Sequence, residues 1–170
     1  MIDLVSKLPH VGTTIFTIIG KLAMEHDAIN LSQGFPNFGT DPELLRLVQE
    51  AIASGHNQYA PMQGIYSLRE RIAEKIDTLY EHYYHPESEI TITASATQGI
   101  FTAISAFVNA HDEVIVFKPA YDCYEPAIEL CGGVVKPLQL KHGTFEVDWA
   151  EFKKAITTKT RMVIINTPHN

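Results

Sequence analysis

Positive charge is in short supply in this chain. Thirteen Lys and Arg stand against twenty Asp and Glu, a formal net charge of -7. No Lys/Arg cluster offsets that balance, which argues against a nucleic-acid surface. Long apolar runs are missing too, and none approaches the length of a membrane span. The start, MIDLVSKLPH, lacks the basic region and long apolar core of a signal peptide. The two cysteines, Cys123 and Cys131, lie eight apart and offer neither a CxxC motif nor a disulfide framework. The expectation from these absences is a cytoplasmic protein with reduced thiols, without nucleic acid or membrane partners. There is no internal repeat and no low-complexity segment. Without GxGxxG a dinucleotide is poorly supported, and without GxxxxGK[ST] a Walker-type nucleotide site is excluded.

What is present is an ordinary globular composition, 45% hydrophobic and 19% charged over 170 residues. That length suffices for one domain with a real core. Thr13 to Ala28 reads as a helix, with apolar residues at Ile15, Ile18, Ile19, Leu22 and Ala23. A loop dense in Gly, Pro and Asn follows over 30–42. Asp41 and Pro42 then form an N-cap and first helical position, opening a helix over 43–53 that Gly55 stops. After a second loop, Ser67 and Glu70 have capping-box spacing and predict a helix to about Tyr80.

From Ile90 the pattern changes. Strands are expected at ITITA (90–94), EVIVF (113–117), GVVKPLQL (133–140) and RMVIIN (161–166), with helices at 97–109, 124–131 and 148–156 between them. Asp148 and Glu151 occupy capping-box places in the last helix. Such alternation predicts an α/β fold with βαβ units and a mainly parallel sheet covered by helices on both faces. The chain stops at Asn170 before a helix could follow the last strand, so the expectation is the N-terminal part of a longer protein.

Ligands of open α/β sheets bind outside the carboxyl ends of the strands. Four such ends are expected here: Ser95-Ala96-Thr97, Lys118 to Tyr121, the turn near Lys141, and Thr167 to Asn170. Ser95 and Gln98 have the S-x-x-Q spacing of a capping box, which marks a helix N-terminus where backbone N–H groups and the helix dipole favour an anion. An ordinary capped βα turn fits the same residues. With an aromatic at Tyr121 and an amide at Asn170, the set suits a phosphorylated heteroaromatic cofactor carrying a phenol-type oxygen.

The segments NLSQGFPNF (30–38), NQYAPMQG (57–64), ITASATQGIFTAI (92–104), PAYDCYEPAIELCGG (119–133) and VIINTPHN (163–170) resemble the fold-type-I, class I/II pyridoxal-phosphate aminotransferases. The likeness is greatest to the methionine and kynurenine/glutamine aminotransferase branch. The segments fall in family order over nearly the whole chain, and Y-D-x-Y-x-P followed by G-G is the most telling piece. The resemblance implies a pyridoxal-phosphate transferase-like fold cut short partway through its large domain. Residues 1–40 would then be an N-terminal arm or part of the small domain, and 41–170 the first half of the large cofactor-binding domain. It implies amino transfer from an apolar or aromatic, methionine-like amino acid to a 2-oxo acid by a homodimer using pyridoxal 5'-phosphate.

By the same resemblance, Ser95, Ala96 and Thr97 hold the cofactor phosphate and Tyr121 stacks on the pyridine ring. Asn170 bonds the phenolic oxygen, Tyr59 reaches the phosphate of the neighbouring subunit, and Gly34 lies near the substrate carboxylate. On the residues alone, a solvent-facing loop aromatic is the better description of Tyr121, while a packed loop and a turn describe Tyr59 and Gly34 equally well. The family places its Schiff-base lysine, the acid facing the pyridine nitrogen and the substrate-binding arginine beyond position 170. None of the nine lysines has the S-x-x-K setting. Lys118, at a strand end, reads as a snorkelling surface residue. The chain alone is therefore expected to be inactive. The alternatives are a C–S β-lyase of the same fold and an inert truncated chain. His82 and His85, with Glu81 and Glu87 nearby, lack a third strong ligand, so no metal site is expected. Asp122 and Glu125 suit a helix start rather than catalysis.

Overall fold

The computed structural model describes residues 4–34 and 36–169. The chain forms two compact units, one of Met1–Ile18 with Ala94–Asn170 and one of Ile19–Thr93. In chain order the elements are α1 (Ile15–Glu25), α2 (Pro42–Ala53), α3 (Tyr66–Tyr80), α4 (Ser95–Phe107), β1 (Glu113–Lys118), α5 (Tyr124–Leu130), β2 (Val134–Gln139), α6 (Trp149–Ala155) and β3 (Thr160–Ile164).

The first unit is built on a parallel sheet in the order β2-β1-β3. Val114, Ile115 and Val116 of the middle strand are at most 1% exposed. A β-branched run in a strand covered on both sides reads as continuous hydrophobicity because neither face meets water. The pleat sends Val114 and Val116 to one face, where they join Ile104 of α4 and Tyr124, Ala127 and Ile128 of α5. Phe117 lies on the opposite face and stacks on Phe152 of α6, with centroids 5.9 Å apart. Helices thus cover both faces, as the alternation predicts. Burying each of these aliphatic side chains contributes about 1.5–3 kcal/mol, which makes β1 the anchor of the unit. Pro137, which has no N–H to donate, is accommodated because β2 is flanked by β1 on one side only among the described strands.

α5 ends in a Schellman motif. Gly132 has φ +77°, its N–H donates to the Glu129 carbonyl, and the Gly133 N–H donates to the Ile128 carbonyl. Gly133 must also be small. A Cβ there would lie 2.7 Å from Val108 Cγ1 and 2.9 Å from Ile128 Cγ2. The G-G pair is therefore one residue for a left-handed turn and one for close approach. Asp148 caps α6 as expected, accepting from the N–H groups of Ala150 and Glu151. Those two bonds hold its carboxyl below the usual aspartate range.

In the second unit Asp41 caps α2 with Pro42 at its first position. Gly55, at φ +86°, ends the helix in another Schellman turn. α3 departs from expectation: it begins at Tyr66 with Ile65 as N-cap and no side-chain cap, so Ser67 and Glu70 form no capping box. A turn closed by the Gly64 N–H on the Pro61 carbonyl delivers the chain into the helix two residues early. Buried Arg69 holds the segment after α3 by donating to the Pro86 carbonyl at 2.6 Å.

The expected strand at 90–94 is not formed. Ile90 to Thr93 carries no strand pairing, and the Ile92 N–H donates instead to the Gln63 carbonyl in the second unit. β-Branched residues favour extended backbone, but a strand exists only where a neighbour takes its backbone groups.

Candidate active site at the carboxyl edge of the sheet

The candidate site grows from loops that follow β1 and β3, together with the N-terminus of α4. α4 does not start as the S-x-x-Q spacing predicts. Ala94 is its N-cap, and no side chain caps it. Ser95 enters with φ +78°, a left-handed conformation that costs a side chain about 1–2 kcal/mol. Gln98 still folds back, its side-chain oxygen accepting from the Ala94 N–H. Half of the capping box survives, displaced by one residue. Ser95, Ala96 and Thr97 are exposed and stand at the positive end of the 13-residue helix dipole. That fits a phosphate seat.

Tyr121 follows β1 through a cis Lys118–Pro119 bond. Its ring is half-buried, packs on the core, and meets Tyr124 edge-on at 6.2 Å. It is not the solvent-facing aromatic that the residues alone allow. The same turn carries Cys123, whose thiol is pushed up by burial first and by neighbouring Asp122 second. The nearby Thr97 side chain pulls it the other way. Ile100 and Ile104 of α4 share one core cluster with Tyr121, Cys123 and Tyr124, which ties α4 to the Tyr121 turn.

After β3 the chain passes through a cis Thr167–Pro168 bond. His169 Nε2 then donates to the Pro119 carbonyl at 2.6 Å. The imidazole also lies beside Phe145, with ring centroids 6.0 Å apart. A cavity of about 400 Å³ opens between these loops, lined by Ile15, Phe16, Tyr121, Phe145 and His169 among others. The structure thus brings Ser95-Ala96-Thr97 and Tyr121 into one unit at the carboxyl edge. Asn170 lies outside the described residues. Tyr59 and Gly34 belong to the second unit. Tyr59 is fully exposed, and nothing stands within 4 Å of a Cβ built on Gly34.

Lys118 is not a spare amine. Its Nζ pairs with Glu125 Oε1 at 2.7 Å, each side chain about one-third exposed. Asp122 and Glu125 sit at the start of α5, as their types suggest. The His85 ring accepts from the Glu87 N–H, and His82 packs edge-on against Tyr84. Among the described residues no three His, Cys, Asp or Glu side chains converge as metal ligands, and no helix is long and apolar enough to cross a membrane.

A parallel α/β sheet with helices on both faces, an exposed helix N-terminus and a packed aromatic after its middle strand places the unit in the open-sheet class of α/β folds. Comparison with known proteins makes that specific. Residues 26–170 match the model of the family "Aminotransferase class I and II", and the chain belongs to that family. It is 52% identical over 165 residues to the methionine aminotransferase of Escherichia coli K12, covering 97% of this chain and 43% of that relative. The solved structure of YbdL from Escherichia coli, described as having a methionine aminotransferase function, superposes with a TM-score of 0.96 at 50% identity, covering 100% of this chain and 44% of that one. The N-succinyldiaminopimelate aminotransferase of Mycobacterium tuberculosis gives 0.92 at 36% identity, covering 99% and 44%. The fold is that of these aminotransferases, and the chain spans less than half the length of the relatives it matches.

Proposed function

We propose that this chain supplies the phosphate- and ring-holding part of a pyridoxal-phosphate aminotransferase. The intact enzyme would move an amino group from a methionine-like apolar amino acid to a 2-oxo acid. The observation that carries this reading is that one core cluster seats two features together, the exposed first turn of α4, through Ile100 and Ile104, and the packed ring of Tyr121. One is suited to a phosphate and the other to a flat heteroaromatic ring, as one phosphorylated cofactor requires.

Within that site the backbone N–H groups of Ser95, Ala96 and Thr97 would hold the phosphate, aided by the helix dipole. The half-buried face of Tyr121 would pack on the pyridine ring and keep water from it. Asn170 would donate to the phenolic oxygen. Tyr59 would serve the phosphate of a second subunit, which makes a homodimer the working form, and Gly34 would leave room for the substrate carboxylate. When bound, pyridoxal phosphate supplies the electron sink that makes an amino acid's Cα–H bond acidic. By the family resemblance the lysine that moves that proton would lie outside these 170 residues, since none of the nine lysines here has the S-x-x-K setting and Lys118 pairs with Glu125. The apolar lining contributed by Ile15, Phe16 and Phe145 suits an uncharged substrate side chain. A cytoplasmic location agrees with the reduced cysteines.

The test is amino transfer by the full-length protein supplied with pyridoxal phosphate, methionine and a 2-oxo acid. Formation of the oxo acid of methionine, matched mole for mole by the new amino acid, is the expected result. Release of pyruvate and ammonia from cystathionine without any transfer would overturn the reading in favour of a β-lyase.

A further inference from the structure

His169 plays no part in the reading above, yet it makes a side-chain bond that joins the loop after β3 to the loop after β1. The acceptor is the carbonyl of Pro119, two residues before Tyr121. A carbonyl can only accept, so Nε2 must carry the proton in whichever charge state the ring has. At 2.6 Å across fifty residues of sequence, this bond sets the position of a backbone atom rather than of another mobile side chain. The Phe145 ring beside the imidazole limits how it can turn. Beyond Pro119 the chain runs straight into Ala120 and Tyr121, which pack on the core. We propose that His169 is a positioning residue: its Nε2–H latches the loop after β3 to the loop after β1 and so fixes the attitude of Tyr121 towards the cofactor ring.

The inference rests on the proposed cofactor site, and its consequences differ from those of a histidine that only shapes its own turn. A turn-shaping residue would act through Pro168 and Asn170 and would be indifferent to the donor at Nε2. A latch needs that donor and little else of the ring. Glutamine places an amide N–H near the position of Nε2, whereas phenylalanine keeps the ring without a donor.

The experiment titrates the full-length apoprotein with pyridoxal phosphate, following uptake and the circular dichroism induced in the bound chromophore. His169→Phe is expected to weaken uptake about fivefold, the scale of one neutral hydrogen bond, and to alter the induced band as Tyr121 tilts. His169→Gln is expected to restore both to within about twofold of the unmutated protein. Wild-type uptake and dichroism in His169→Phe would overturn the latch, as would a glutamine variant impaired as much as phenylalanine. Nitrogen-15 shifts of His169 in the unmutated apoprotein give a reading that needs no variant to fold: a proton on Nε2 is expected, and a bare Nε2 would overturn the latch. Failure of the unmutated protein to take up pyridoxal phosphate is a separate outcome, which would remove the cofactor site itself.

Discussion

Substituting Gly133 by alanine tests whether the packing that seats α5, and with it the Tyr121 turn, is as tight as the structure shows. The new methyl would stand 2.7 Å from Val108 Cγ1, 2.9 Å from Ile128 Cγ2 and 3.2 Å from the Ile128 carbonyl oxygen. Neither side chain has room to retreat, since Val108 is 5% exposed and Ile128 is fully buried. Nor can the carbonyl move freely, because it accepts the Gly133 N–H that closes the helix. Forcing an extra methyl into a packed core costs about 1–3 kcal/mol. Two contacts below 3.0 Å put this site in the upper half, at about 2–3 kcal/mol. Urea unfolding of the full-length apoprotein measures the loss. Adding Val108→Ala removes the nearest clashing atom, so the double variant should lose less than the sum of the singles, by at least about 1 kcal/mol. Gly132 provides the contrast, because its requirement is the left-handed φ of +77°. Gly132→Asn should be milder than Gly132→Ala, since asparagine tolerates that conformation, whereas Gly133→Asn should be no milder than Gly133→Ala. Should Gly133→Ala fall within about 0.5 kcal/mol of the parent, the size expected of an unconstrained surface position, the close-approach argument fails.

Three further outcomes follow from the same structure. Tyr121→Leu keeps bulk but loses the aromatic face, and should weaken pyridoxal-phosphate uptake by the full-length protein about three- to tenfold; unchanged uptake would remove Tyr121 from the site. Asp148 titrates below the ordinary aspartate range because it accepts from the Glu151 and Ala150 N–H groups. Its charged cap therefore stabilises the protein fully above the unfolded pKa and loses that effect as pH falls through the folded one. Asp148→Asn should lower the urea midpoint at pH 7 and converge on the parent in acid, and a gap independent of pH would contradict the assignment. The 170-residue chain by itself should transfer no amino group, and turnover that survives Lys118→Ala would show the catalytic lysine to be misplaced.

Elements whose signals are local were legible from the residues. Asp41–Pro42, Gly55 and Asp148 mark helix ends through bonds made within a few positions, and β1 announces itself as an unbroken β-branched run. What escaped depends on partners far along the chain. The strand expected at 90–94 has the right residues, but its N–H at Ile92 goes to Gln63. The S-x-x-Q spacing at Ser95 encodes a helix start without encoding the φ of +78° that moves the cap to Ala94. At the proposed site, the expectation for Ser95 to Thr97 and Tyr121 came from a family resemblance, which supplied the order of distant segments. The His169–Pro119 bond was not legible, because it has no periodicity or short spacing to betray it.

The most direct measurement is a crystal structure of the full-length protein with pyridoxal phosphate bound. The phosphate should lie within hydrogen-bond reach of the backbone N–H groups at Ser95, Ala96 and Thr97, with the pyridine ring against the face of Tyr121. A phosphate held elsewhere, or a ring with no contact to Tyr121, would contradict the assignment of this edge of the sheet as the cofactor site.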